Sequence, residues 1–224
     1  MKYQLRDYQK KASDAAVMYF KMKSGRNGLL VLPTGAGKSL IIADIAARLE
    51  EPLIVFQPNK EILEQNFAKL QTYGIWDCSI YSASVGRKEI SRITFATIGS
   101  VIRHMKDFQH FKNILIDECH LVKPSDGMYK RFFEQAERRI VGLTATPYRL
   151  YSCMNGSMLK FLTRTRPRVF SQVLYYCQVS ELLAKGFLSR LKYYDVTRID
   201  LTKVRRNSSG ADFDDASLSD EFRR

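Results

Sequence analysis

Four apolar residues, Leu29-Leu30-Val31-Leu32, run straight into Pro33-Thr34-Gly35-Ala36-Gly37-Lys38-Ser39, and no other stretch narrows the fold of this chain as much. A short apolar run reads as a buried strand. The two glycines let the backbone curl so that successive N–H groups converge, an arrangement suited to phosphate oxygens. The spacing predicts a helix over Ser39–Leu49, whose N-terminus adds partial positive charge. Lys38 is placed to reach β- and γ-phosphates, and the Ser39 hydroxyl to ligate Mg²⁺. A strand, a glycine loop and a helix in this order demand an α/β fold.

The alternation continues along the chain. Asp7–Lys23 carries Tyr8, Ala12, Ala15, Ala16 and Tyr19 at helical spacing. Strands are expected over 53–56, 93–96, 114–116, 140–143 and 173–178, and helices over 61–70, 98–105, 129–135 and 180–185. Short apolar strands separated by amphipathic helices predict a mostly parallel sheet covered on both faces. Right-handed crossovers then gather the C-terminal strand ends on one edge, where such folds bind ligands. Residues 151–170, rich in Lys, Arg and Ser, are expected to be a basic excursion from the core. Residues 1–195 read as one domain and 196–224 as a polar linker.

Composition sets outer bounds. A hydrophobic fraction of 45% suffices for one core in 224 residues. No stretch approaches the roughly 18 apolar residues of a membrane span. The start, Met1-Lys2-Tyr3-Gln4-Leu5-Arg6, lacks the apolar centre of a signal peptide. A cytoplasmic protein without a membrane partner is expected. Cys78, Cys119, Cys153 and Cys177 lie far apart, which argues against a zinc site or a disulfide framework. The net charge is +13, and from Thr197 onward six basic residues meet six acidic ones, so the excess sits on the folded part. That balance suits a polyanionic partner without identifying it.

A second chemical signal lies in Ile114-Leu115-Ile116-Asp117-Glu118-Cys119-His120. Two adjacent carboxylates at the end of a buried strand are costly without a cation beside them. Asp117 is expected to hold Mg²⁺ through its water shell. Glu118 is expected to orient and deprotonate the water that attacks a γ-phosphate. His120 is placed to link this site to whatever binds elsewhere.

Taken together, these residues resemble the first RecA-like domain of superfamily 2 DExH-box helicases and translocases. Asp117-Glu118-Cys119-His120 resembles the DExH box, and Leu143-Thr144-Ala145-Thr146-Pro147 the motif that follows it. Leu5-Arg6-Asp7-Tyr8-Gln9 is similar to the adenine-recognising element. Phe56-Gln57-Pro58-Asn59-Lys60-Glu61 with Gln65, and Thr94 to Ser100, resemble two nucleic-acid-contacting motifs. The cradle departs from the strict G-x-x-x-x-G-K-[ST] pattern by having Leu32 at the first glycine, and Pro-Thr-Gly-x-Gly-Lys-Ser is the variant of this superfamily. Arg149, Glu181-Leu182-Leu183 and Gly186-Phe187-Leu188 add a resemblance to RadD-like bacterial DNA repair helicases, with type I/III restriction translocases as neighbours.

The resemblance implies ATP and Mg²⁺ as cofactors. It implies that Gln9, with Arg6 nearby, reads the adenine edge, and that Leu32, Pro33, Thr34, Gly35, Ala36, Gly37, Lys38 and Ser39 hold phosphates. Ser39 and Asp117 would take the metal, while Lys38, Asp117, Glu118 and His120 would carry catalysis. Thr144 and Thr146 would couple nucleotide state to movement. Pro58, Asn59, Lys60, Thr97 and Ser100 would line one nucleic-acid strand, by contacts that need not read bases.

Motors of this superfamily carry a second RecA-like domain, which supplies an arginine finger. Residues 150–224 contain no Gln-x-x-Gly-Arg-x-x-Arg element. The chain is therefore expected to cover the first domain and the start of a linker, and to turn ATP over slowly by itself. The leading functional expectation is the ATP-binding core of a DNA helicase or translocase in repair or restriction, with DNA favoured over RNA. The alternative is an ATP-switched nucleic-acid sensor. A small-molecule P-loop kinase would leave Thr144-Ala145-Thr146-Pro147 unexplained.

Overall fold

Eight strands lie side by side, in the order 172–176, 28–31, 139–144, 113–116, 53–56, 93–96, 78–82 and 87–88, in a computed structural model of the chain. It describes residues 4–22, 25–124, 126–153, 156–191 and 201–205, together with 214, 216, 217 and 219. The elements in chain order are α1 (Asp7–Lys21), β1 (Gly28–Val31), α2 (Lys38–Arg48), β2 (Leu53–Phe56), α3 (Lys60–Gln71), β3 (Cys78–Ser82), β4 (Arg87–Lys88), β5 (Ile93–Ala96), α4 (Ile98–Val101), β6 (Asn113–Ile116), α5 (Met128–Phe133), β7 (Arg139–Thr144), β8 (Tyr148–Cys153), β9 (Gly156–Phe161), β10 (Gln172–Tyr176) and α6 (Val179–Ala184). Every neighbouring pair in the large sheet is parallel except β3 with β4. The expected mostly parallel α/β sheet is what forms.

Period-two alternation divides the core into two layers. Val55, Leu115, Val141 and Leu143 pack with α1, α2 and α3 on one face. Phe56, Ile114, Ile116 and Ile140 pack with Phe108, Phe111 and Phe132 on the other. Burial on both faces explains why β2 and β6 read as unbroken apolar runs. On the first face α1 is tied to α2: the Ser13 hydroxyl donates to Asp44, and Arg48 reaches Asp14 at 2.7 Å and Asp44 at 3.2 Å. These links hold the middle of α1 against the C-terminal half of α2.

Three regions differ from expectation. β3 and β4 escape the apolar-run criterion because Ser79 and Ser82 are buried in β3, Ser79 donating to the Glu89 carbonyl at 2.9 Å. The helix expected over 98–105 is only α4, after which a 3₁₀ turn (Ile102–Phe108) breaks at His104 (φ −134°, ψ 36°). The excursion expected over 151–170 contains β8 and β9, which form a separate two-stranded sheet with Leu150, Met158 and Leu159 exposed. No buried face marks them in the sequence. The expected linker from 196 lies mostly outside the described residues.

The chain divides into two compact units, residues 1–149 with 159–188, and residues 150–158 with 189–224. The described part of the second includes a 3₁₀ turn at Leu201–Lys203 and a hydrogen bond from the Asp214 N–H to the Arg205 carbonyl at 2.8 Å. No described helix is long and apolar enough to cross a membrane.

One close approach fixes the middle of the sheet. A Cβ at Gly142 on β7 would lie 2.5 Å from Cys119 Sγ and 2.8 Å from a Phe170 ring carbon. Replacing Gly142 by valine is expected to lower the free energy of unfolding by about 2–3 kcal/mol, the upper part of the overpacking range. Chemical denaturation of the two proteins measures the difference.

Candidate functional site

The phosphate cradle closes around one carbonyl. Ala36 O accepts both the Tyr8 hydroxyl and Gln9 Nε2, each at 2.9 Å. Gly35 and Gly37 adopt φ of +80° and +76°. A Cβ at Gly37 would lie 2.5 Å from Gln9 Nε2, so a glycine is required there on two counts. Leu32 is wholly buried and its N–H donates to the Thr144 carbonyl at 3.0 Å, so it anchors the start of the loop and offers a ligand no side chain. Pro33 is buried as well. Thr34 and Gly35 are exposed, and Lys38 and Ser39 are half-buried at the first turn of α2.

Gln9 already has one partner at each end of its amide. It is 3% exposed; its Oε1 accepts the Arg6 N–H at 2.9 Å while Nε2 is spent on Ala36. In this geometry Gln9 braces the cradle. Arg6 lies outside it with its guanidinium carbon 4.3 Å from the centre of the Phe187 ring, and the Tyr8 ring is 5.7 Å from the same ring. Phe187, which follows α6, was not singled out as a site residue. The stack on Arg6 gives it a place beside the cradle.

At the tip of β6, Asp117 is 6% exposed. Its Oδ1 accepts the Glu118 N–H at 3.0 Å, and its Oδ2 accepts Asn66 Nδ2 from α3 at 3.2 Å. Burial, and next the charge of Glu118, push the Asp117 carboxyl up to about 6, while Lys38 and the two hydrogen bonds oppose the shift. Glu118 is the one non-glycine residue with positive φ (48°) among those described. That turn swings its carboxylate toward the cradle, where Oε1 lies 3.0 Å from Lys38 Nζ.

From Glu118 a polar chain leads away from the cradle. Its Oε2 is 3.3 Å from His120 Nδ1, which lies 3.0 Å from the Thr144 hydroxyl. Thr144, fully buried at the end of β7, also accepts the Thr146 N–H at 3.0 Å. Arg149 donates through Nε to the His120 carbonyl at 2.8 Å and reaches the same oxygen through Nη2. The sequence thus spreads Lys38, Glu118, His120, Thr144 and Thr146 over three motifs, and the fold joins them.

Pro58, Asn59, Lys60, Thr97 and Ser100 also come together. They line one cleft with Ala83, Ser84, Lys88, Gly99, Arg103 and His104. Asn59 caps α3 by accepting the Ile62 N–H at 2.9 Å. The Thr97 and Ser100 hydroxyls are 2.9 Å apart, Thr97 lies 3.2 Å from the Ser82 hydroxyl, and Ser100 accepts the Ala83 N–H at 2.8 Å. These hydroxyls shape the loop after β3, and the exposed cations of the cleft are Lys60, Lys88 and Arg103. The last two were missed because isolated cations carry no pattern. A larger cavity, about 1060 Å³, opens at the opposite edge among Asn27, Pro52, Asn113 and Arg138, and it holds none of the motif residues.

The raised carboxyl makes stability depend on pH. Asp117 takes up a proton in the folded state near pH 6 but near 3.8 when unfolded, so the folded protein binds more protons between these values. Stability from this group is therefore greatest below about pH 4 and falls as pH rises through 6. Asp117→Asn, measured without metal, is expected to be more stable than the parent at pH 7. The gain should be about 1–2 kcal/mol after the lost acceptor is counted, and it should vanish near pH 4. Urea denaturation at the two pH values checks it.

Comparison with known proteins agrees with this geometry. The family profile described as "Type III restriction enzyme, res subunit" (ResIII) matches residues 2–149. The "DNA 3'-5' translocase XPB2" of Sulfurisphaera tokodaii is 30% identical over 151 residues, covering 66% of this chain and 32% of that protein. The "DNA 3'-5' helicase XPB" of Mycobacterium tuberculosis is 29% identical over 154 residues, 64% of this chain and 27% of that one. The chain thus spans about a third of the length of these relatives. In fold it is similar to the Sulfolobus solfataricus SWI2/SNF2 ATPase core solved with dsDNA (TM-score 0.54, 21% identity, 66% of this chain and 33% of that one). A site of this build, on a sheet of this order and under a profile that covers two-thirds of the chain, places it plainly: the chain belongs to the ResIII family of superfamily 2, as a first RecA-like, ATP-binding domain.

Proposed function

We propose that this chain is the ATP-binding core of a Mg²⁺-dependent motor that translocates on or unwinds DNA. The observation that carries the proposal is the unbroken polar chain from Lys38 through Glu118, His120 and Thr144 to Thr146. Such a chain lets the state of a phosphate be felt at the end of β7. The names of the XPB relatives, and the dsDNA in the SWI2/SNF2 structure, support DNA over RNA. Restriction is the setting that the family's description suggests, and repair the one that the RadD-like resemblance implies.

In this reading the curled loop 33–37 and the α2 N-terminus bind phosphate oxygens, and Lys38 meets the β- and γ-phosphates. Glu118 accepts the proton of the attacking water at its carboxylate. His120 holds Glu118 Oε2 in place, and Thr144 fixes the imidazole. Ser39 and Asp117 fit a divalent cation, because a buried carboxylate raised by a second one is relieved by positive charge. Bound there, Mg²⁺ would neutralise charge developing on the phosphates. Arg6 and Phe187 flank the cradle where a base would lie. A second RecA-like domain would complete the site with an arginine finger.

Lys60, Lys88 and Arg103 would grip the phosphate backbone in the cleft. Single alanine substitutions are expected to weaken binding alike for all sequences and to reduce the slope of log affinity against log salt by about one each. Competition between matched DNA and RNA strands at fixed salt tests the nucleic-acid preference, and stronger RNA binding would overturn it. Glu118→Gln in a protein carrying both motor domains is expected to lower ATP hydrolysis about 10²–10⁴-fold while labelled ATP still binds. Unchanged hydrolysis would remove Glu118 as the base. A strand-displacement assay separates a motor from an ATP-switched sensor, which would hydrolyse ATP without moving strands.

A further inference from the structure

Two buried amide side chains at the C-terminal edge of the sheet are left incompletely paired. Gln57 and Asn66 are each 1% exposed. Both Gln57 side-chain atoms, and Asn66 Oδ1, have no partner in the structure. Buried polar atoms nearly always pair, so orphans of this kind mark where a group moves or a water bridges.

Their placement is informative. Val55 and Leu115 face the α1–α3 layer, while Phe56 and Ile116 face the opposite layer. The next residues, Gln57 and Asp117, therefore return to the α1–α3 face. The Asp117 N–H donates to the Phe56 carbonyl at 3.0 Å, which keeps the two strand ends in register. Asn66 belongs to α3 on this same face and donates from Nδ2 to Asp117 Oδ2 at 3.2 Å. Gln57 directly precedes Pro58-Asn59-Lys60 of the cleft, and Asn59 is the N-cap of the helix that carries Asn66.

We propose that Gln57 and Asn66 are positioning residues that couple the nucleic-acid cleft to the metal-binding carboxylate. The inference rests on the motor reading above. A strand held against Asn59 and Lys60 pulls on the first turn of α3. Seven residues along, about 10 Å on a rigid helix, the same displacement re-aims the amide that holds Asp117 Oδ2. The chain linking Gln57 to Pro58 moves Gln57 with it. Of the unpaired atoms, Gln57 Nε2 can offer the carboxylate a second donor, so Asn66 and Gln57 give it the two alternative partners that a two-position coupling element needs. Neither side chain lines the cleft, so the pair acts through Asp117 and α3.

The test measures the affinity of the chain for a fluorescein-labelled single-stranded DNA, with and without Mg²⁺ and a non-hydrolysable ATP analogue. In the parent protein the analogue is expected to change that affinity about fivefold or more, the lower bound of ordinary allosteric coupling. Asn66→Leu and Gln57→Met should bring the ratio to within about twofold of one. Variants that keep the parent's ratio, or a parent ratio of one, overturn the inference. A parent chain that binds neither ligand overturns the motor reading as well. Should a variant not fold, side-chain amide NMR signals of Gln57 and Asn66 in the parent decide. They should shift when DNA alone is added, and unmoved signals refute the coupling.

Discussion

Burying Asp117 at the tip of an apolar strand sets a demand that neighbouring elements must meet. A carboxylate in that position needs donors and positive charge nearby, or it takes a proton. β6 meets part of the demand by turning Glu118 left-handed, so that its N–H caps Asp117 and its carboxylate turns to Lys38. α3 meets another part with Asn66, and α2 brings Lys38 on the first turn after the cradle. Three elements far apart in sequence are thus drawn to one strand end. Moving any one of them leaves a buried charge exposed to apolar surroundings.

The same logic explains what the amino-acid order makes legible. β1, β2, β5, β6 and β7 are buried on both faces, and such strands announce themselves as short runs of Leu, Ile and Val. β3 carries two buried serines whose hydroxyls are satisfied by Glu89 and by the Thr97–Ser100 cluster, partners known only after folding. β8 and β9 turn large apolar side chains to the outside, so they present no alternation to read. The break at His104 leaves no trace in a pattern of apolar spacing.

At the site, residues that must touch a phosphate or a metal belong to short motifs and can be found without coordinates. Residues that hold them cannot. Asn66 acts on Asp117 from another element, and nothing local marks it as special; Arg149 belongs to a legible motif, but its bond to the His120 carbonyl does not show there. Gln9 shows a mixed case: its motif is legible, but the bonds that its amide makes with Arg6 and Ala36 are seen only in the fold. Thr97 and Ser100 likewise support the cleft wall with hydroxyls that already have partners.

The shortest strand of the sheet has a consequence for anyone altering the cleft. β4 is two residues long, Arg87-Lys88, and it forms one margin of the sheet with both side chains in solvent. Short, positively charged margins keep sheets from adding strands of another molecule. Lys88 therefore serves solubility as well as the cleft, so neutral substitutions there weaken the guard against self-association. Charge reversal to glutamate would remove the phosphate attraction proposed for the cleft yet keep the margin hydrated, which makes it the cleaner way to dissect the cleft.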